Sequence, residues 1–257
     1  MAVTEKVVKA GKTRMVTQSR KTGNHSGPRE KRGNETSEAQ KEGNFRRAVQ
    51  NLTALMNTNF EDGDLLITAD YRKGLRPADS GRMHKDFDNL LSRLKRKLKK
   101  MGLSPPKYIR VVEVGPRGAR HHHFVMKNFP GALEILRECW KEGGINIKPL
   151  FTDGNYRGIA EYFVKYSKQT YATEGKESKK LWYPARGLKK PKIGKPREIK
   201  SREIGQIKIP KGYYLDQDSV RHGISRFDGH ETFFYILVRL PDYKPGKKKK
   251  ERRKRAG

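Results

Sequence analysis

Three histidines stand in a row, His121, His122 and His123, and the chain continues as Phe124-Val125-Met126. Successive side chains of a strand point to opposite faces, so His121 and His123 share one face and His122 looks away. The preceding segment, Tyr108 to Val114, is mainly apolar and carries one acid, Glu113. The turn Gly115-Pro116-Arg117-Gly118 joins the two segments into a hairpin. If Val114 pairs with Arg120, Glu113 falls opposite His121 and Val111 opposite His123. Two imidazoles and one carboxylate then make a mixed nitrogen and oxygen donor set for a divalent cation, Mg²⁺ or Mn²⁺, with Zn²⁺ as a further option. The competing reading is a surface histidine run that binds nothing.

A second set lies further on. Tyr162, Lys165, Tyr166 and Gln169 recur at helical spacing and form one stripe. The plain reading is a half-buried aromatic face with lysine stems laid along it. The chemical reading is that a tyrosine attacks a DNA phosphodiester and keeps the 5′ phosphate as a covalent adduct. A phenol with a pKa near 10 is a weak nucleophile, so this reading needs a cation on the phosphate. Lys165 would stabilise developing charge or orient the phosphate. Hairpin and helix thus supply complementary parts of one reaction.

Several elements must position these residues. Phe45 to Asn57 has helical spacing, and Asp64 to Tyr71 (DLLITADY) reads as a strand. Asp79 or Ser80 can cap a helix whose apolar stripe runs from Met83 and Phe87 through Leu94 and Leu98 to Met101. The other face of that helix is basic. Ala132–Lys141 reads as a short helix ended by Gly143-Gly144, Ile145–Phe151 as a strand and Tyr156–Lys168 as a helix. Strands mixed with helices and joined by a hairpin predict an α+β domain on a mainly antiparallel sheet with flanking helices.

The balance of 59 Lys+Arg against 28 Asp+Glu in 257 residues gives a formal charge of +31, which points to a polyanion such as nucleic acid. Only 33% of the residues are apolar, which suggests one core domain with polar tails. Residues 1–42 read as a disordered basic arm, 43–174 as the catalytic domain, 175–211 as a basic linker, 212–240 as a small appended segment and 241–257 as a disordered basic tail. No apolar run is long enough to span a membrane and no secretory signal is visible, so cytoplasmic action is expected, with a nuclear setting left open by the basic cluster at residues 241–257. Cys139 is the only cysteine, which excludes an intrachain disulfide and a cysteine-cluster zinc site.

Glu113 with His121-His122-His123-Phe124, followed by Glu161-Tyr162-Phe163-Val164-Lys165, resembles the rolling-circle replication initiators of the HUH endonuclease superfamily. The resemblance covers roughly residues 45–170. It departs from the His-x-His pattern in one respect: the middle residue is itself His. It implies a ferredoxin-like or RRM-like core and nicking of single-stranded origin DNA, leaving a 3′-OH primer and a 5′-phosphotyrosyl adduct. Tyr162 fits the Tyr-x-x-Lys motif as nucleophile, and Tyr166 is either a second nucleophile or a packing residue. Glu113, His121 and His123 would hold the metal. The expected phosphate contacts are Arg93, Arg96, Lys97, Lys100, Arg117, Arg120 and Lys168, mostly independent of sequence. Gly11-Lys12-Thr13 lacks the glycine a nucleotide-binding loop needs, since Lys6 stands there. Helicase and polymerase would therefore come from the host, with no small-molecule cofactor. The alternatives are a relaxase or transposase of the same chemistry, a nuclease that uses water, or a basic nucleic-acid-binding protein without catalysis.

Overall fold

A computed structural model describes residues 2–20, 38–115, 118–174, 180–224 and 230–243. The central unit runs β3 (Leu65–Asp70), α2 (Ser80–Lys100), β4 (Tyr108–Val114), β5 (Arg120–Met126), α3 (Ala132–Cys139) and β6 (Ile145–Pro149). Its sheet has the order β6-β3-β5-β4, and every pair is antiparallel. This is the split β-α-β arrangement of ferredoxin-like folds. A two-residue strand, β7 (Tyr183–Pro184), extends the sheet beyond β4.

The two crossover helices lie on one face of this sheet. Their apolar stripe (Met83, Phe87, Leu94 and Leu98 of α2, Leu136 of α3) packs on Ile67, Val112, Phe124 and Met126. Asp79 caps α2, accepting the Arg82 backbone N–H at 2.9 Å. The opposite face is left to two other helices, α1 (Glu38–Asn59) and α4 (Arg157–Thr173). Leu52 and Met56 of α1, with Ala160, Phe163 and Val164 of α4, bury Ile109, Val111 and Val125 there.

Residues 3–20 do not form the expected disordered arm. They fold as a hairpin, β1 (Val3–Ala10) and β2 (Thr13–Arg20), inside a second, antiparallel sheet. Its longest strands, β10 (Tyr213–Ile224) and β11 (Glu231–Arg239), come from the stretch expected as a small appended segment. β11 pairs with β2, while β8 (Lys192–Ile193) and β9 (Arg197–Ile199) pair with β1. The expected linker thus adds strands to both sheets. Residues 21–37, 175–179 and 244–257 of the expected arm, linker and tail lie outside the described residues.

The hairpin is fixed by its turn. Gly11 has φ of 57°, and a Cβ there would stand 1.8 Å from the Asn57 carbonyl oxygen of α1, so only glycine fits. Ala54 of α1 packs against Met15, Phe234 and Ile236, which places α1 between the two sheets. Asp216 of β10 accepts from Asn155 at 2.8 Å and from Arg157 Nε at 3.0 Å, tying the second sheet to the start of α4.

Two histidines are held neutral on the α2 face. His122 is wholly buried, and its Nε2 lies 2.9 Å from the Tyr71 hydroxyl. Burial first, then the charge of Arg110, keeps its pKa well below the usual histidine value. His84 accepts a hydrogen bond from buried Arg110 at 2.6 Å. Burial and that guanidinium push its pKa down to about 4. Both folded pKa values are depressed, so below about pH 6.5 the unfolded chain binds protons that the folded one refuses. Stability should therefore fall on acidification from about pH 6.5 to about pH 5, by up to about 1.4 kcal/mol per pH unit for His122. Urea midpoints at the two pH values measure it. His84→Gln should remove about half of the fall, and an unchanged fall would refute the assignment.

Candidate active site

The β4–β5 register is the one the hairpin pattern predicts: Val114 opposite Arg120, Glu113 opposite His121 and Val111 opposite His123. β3 adds two residues to the same face, because Asp70 pairs with His121 and Thr68 with His123. The Asp70 carboxylate accepts from His121 Nδ1 at 2.5 Å. The Thr68 hydroxyl lies 3.1 Å from His123 Nδ1. His123 Nε2 meets the Glu113 carboxylate. Both Nδ1 atoms are therefore engaged by β3. The Asp70 contact fixes the His121 tautomer and leaves its Nε2 unprotonated in the neutral ring. A hydroxyl both donates and accepts, so Thr68 can support either tautomer of His123.

α4 carries the tyrosines over this face. Phe163, Val164, Ser167 and Thr170 form its buried side. The Thr170 hydroxyl accepts the Val114 backbone N–H at 2.8 Å and donates to the Val112 carbonyl at 3.2 Å, pinning the helix to β4. The Tyr162 ring stands edge-on to His123, with centroids 5.4 Å apart and planes at 89°. Its pKa is pushed up to about 12, first by burial, then by the charge of Glu113, with Tyr166 and a hydrogen bond to Glu113 adding to the shift. Tyr166 packs on Tyr162 at 4.3 Å between centroids. Lys165 is exposed on the same helix.

The structure thus brings together Glu113, His121, His123, Tyr162 and Tyr166, and adds Asp70 and Thr68. Sequence reasoning placed Asp70 on a strand but gave it no partner. The available signal was an acid two positions from Thr68 in DLLITADY, which shares a face with it. Among the described residues no three His, Cys, Asp or Glu side chains are gathered into a ready metal-holding group. His123 and Glu113 face each other, while His121 is turned to Asp70.

The expected phosphate contacts scatter. Arg93, Arg96, Lys97 and Lys100 lie on α2, behind the sheet and away from the histidine face. Arg93 donates to the Cys139 carbonyl at 3.1 Å, and Lys97 pairs with Glu138 of α3. Arg120 is committed to the fold: it is paired with Glu174 at 2.8 Å and donates to the Ala78 carbonyl at 2.7 Å. Its charge is spent within the domain, so it is not a free phosphate contact. Lys168 sits over the Phe45 ring at 5.0 Å, on the same helix as Tyr162. Arg117 lies outside the described residues.

Fold and site together define an α+β domain whose antiparallel sheet presents two histidines and two carboxylates beneath a tyrosine-bearing helix. Residues 64–171, which hold every element of that site, match the family model of the replication-associated proteins of the ORF2 type. The matched segment spans less than half of the 257 residues. Neither the curated proteins nor the solved structures hold a match to the chain. No helix among the described residues is long and apolar enough to cross a membrane.

Proposed function

We propose that the protein starts rolling-circle replication by nicking single-stranded origin DNA through tyrosine transesterification, as HUH endonucleases do. The observation that carries this reading is the position of Tyr162, edge-on to His123 and beside Glu113. In it the Tyr162 oxygen attacks the scissile phosphorus and forms a phosphotyrosyl bond. The bond to the 3′ oxygen breaks, and that oxygen leaves as a 3′-OH after taking a proton. The phenol proton passes to the carboxylate of Glu113 or to water. Rejoining is the same exchange run backwards, with a 3′-OH as attacker.

Glu113, His121 and His123 would hold a divalent cation, Mg²⁺ or Mn²⁺. The fit rests on the donor chemistry: two imidazoles and a carboxylate on one face, with both Nδ1 atoms oriented by Asp70 and Thr68. A bound cation supplies charge neutralisation of the phosphate oxygens in the transition state. Lys165 and Lys168, on the helix that carries Tyr162, would add phosphate contacts. Host helicase and polymerase would extend the freed 3′ end.

The test is a denaturing gel. The protein is incubated with Mn²⁺ and labelled single strands from the DNA flanking its own coding region. A covalent band that EDTA prevents is the expected result. Cleavage without an adduct would replace this reading with a water-using nuclease, and binding without cleavage, with Mn²⁺ or with Mg²⁺ in its place, would replace it with a non-catalytic binding protein.

A further inference from the structure

Beside Tyr162 the histidine face opens into a cleft of about 500 Å³ whose lining includes Tyr162, His123 and Thr68 of the site itself. Clefts of about 300–1,000 Å³ are the size that buries most of a small ligand. The floor is Leu66 of β3 with Asn146 and Lys148 of β6, the edge strand of the sheet. Lys148 pairs with Leu66 and Asn146 with Thr68, so amide and ammonium stand on the site face, two residues apart. Both are exposed. The wall is the first turn of α4, Gly158 and Ile159, and Tyr162 closes the inner end.

Gly158 is the informative residue. Its φ is not in the left-handed region, and a Cβ there would meet no atom within 4 Å. Neither backbone nor packing therefore requires glycine, and glycine weakens a helix. Gly158 lines the cleft without adding a side chain to it.

We propose that this cleft is a nucleobase pocket, taking the base of a nucleotide next to the phosphate that Tyr162 attacks. The inference rests on the nickase reading for its position and adds to it how a strand is registered in the site. Leu66 and Ile159 give an apolar slot for a base face. The Asn146 carboxamide, with both donor and acceptor, pairs with a base edge. Lys148 sits where the sugar-phosphate backbone enters. The α2 basic stripe lies behind the sheet and cannot do this; the pocket shares a wall with the nucleophile.

The test uses the full chain and the flanking-DNA oligonucleotide that it binds best. That strand is remade with one abasic residue at each position in turn, and affinity is read by fluorescence anisotropy at fixed salt. In the wild-type chain one position should lower affinity about tenfold relative to its neighbours, within the range for losing one base contact. Gly158→Leu, which fills the pocket, should bind the intact strand as weakly as the wild-type chain binds that abasic strand. It should lose nothing further at that position. Thermal unfolding checks its fold, and if it is destabilised, Asn146→Ala on the exposed edge strand gives the same reading by erasing discrimination among the four bases there. A flat abasic profile, or a profile that both variants leave unchanged, overturns the pocket. Adduct formation with Mn²⁺ in the same samples separates the two proposals. An adduct with a flat profile removes the pocket alone, and a base-dependent profile without an adduct removes the nickase and leaves a base-reading cleft with no scissile phosphate beside it.

Discussion

Tyr162→Phe should abolish the covalent protein–DNA adduct, at least about a thousandfold in rate, while single-strand affinity changes less than about threefold. The substitution removes one oxygen and keeps the ring. The edge-on contact with His123 at 5.4 Å and the packing on Tyr166 at 4.3 Å both survive it. Tyr162 is 39% exposed, and buried Glu113, which loses the hydrogen bond from the hydroxyl, keeps its His123 partner. Binding comes mainly from phosphate contacts, which the change does not touch. Tyr166 is the control. It lies one turn further along α4 and away from the His123 contact, so Tyr166→Phe should retain first-strand cleavage. A Tyr162→Phe chain that forms adduct at the wild-type rate would pass the nucleophile to Tyr166.

His123→Ala should lower adduct formation at a fixed Mn²⁺ concentration by at least about a hundredfold, and His121→Ala should do the same. Each change removes an imidazole from the face below Tyr162 and leaves the apolar core of α1 and α4 in place. Raising Mn²⁺ should recover part of the rate if the lost group is a metal donor. Asp70→Asn discriminates further. Asp70 orients His121 through Nδ1 and does not touch the other imidazole. Its loss should therefore weaken Mn²⁺ affinity about 10- to 100-fold with the saturated rate nearly kept. Titration of the adduct rate against Mn²⁺ for the three variants gives both quantities. An unchanged Mn²⁺ dependence in His123→Ala would remove the metal assignment.

The local parts of this site were legible before the structure. The period of two in β5 and the short turn at residues 115–118 fix which of His121, His122 and His123 share a face and set Glu113 among them. The buried, unshared fate of His122 follows from the same parity. Asp70 was not legible as a site residue, because its pairing with His121 joins strands about fifty positions apart, across a helix. Helical spacing gave the apolar stripe of α2 but not the side of the sheet on which it packs. The basic stripe therefore read as a DNA contact when it lies behind the site. The second sheet was hidden for a different reason. Its strands come from residues 3–20, 192–199 and 213–239: the first two pieces look polar and basic, and the apolar run Phe233–Val238 of the third has no visible partner in the sequence. Val16, Phe233, Tyr235 and Leu237 become a core only once β2 and β11 are paired. Arg120 reads as a phosphate contact from the sequence, while the fold pairs it with Glu174, a partner 54 positions away.

The central claim is that Tyr162 takes up a DNA phosphate. It is tested most directly by trapping the Mn²⁺-dependent adduct, digesting protein and DNA, and locating the nucleotide-bearing residue by mass spectrometry. A 5′-linked nucleotide on the peptide carrying Tyr162, absent after EDTA, is the predicted result. A modification confined to Tyr166, or cleaved DNA with no modified tyrosine, would contradict it.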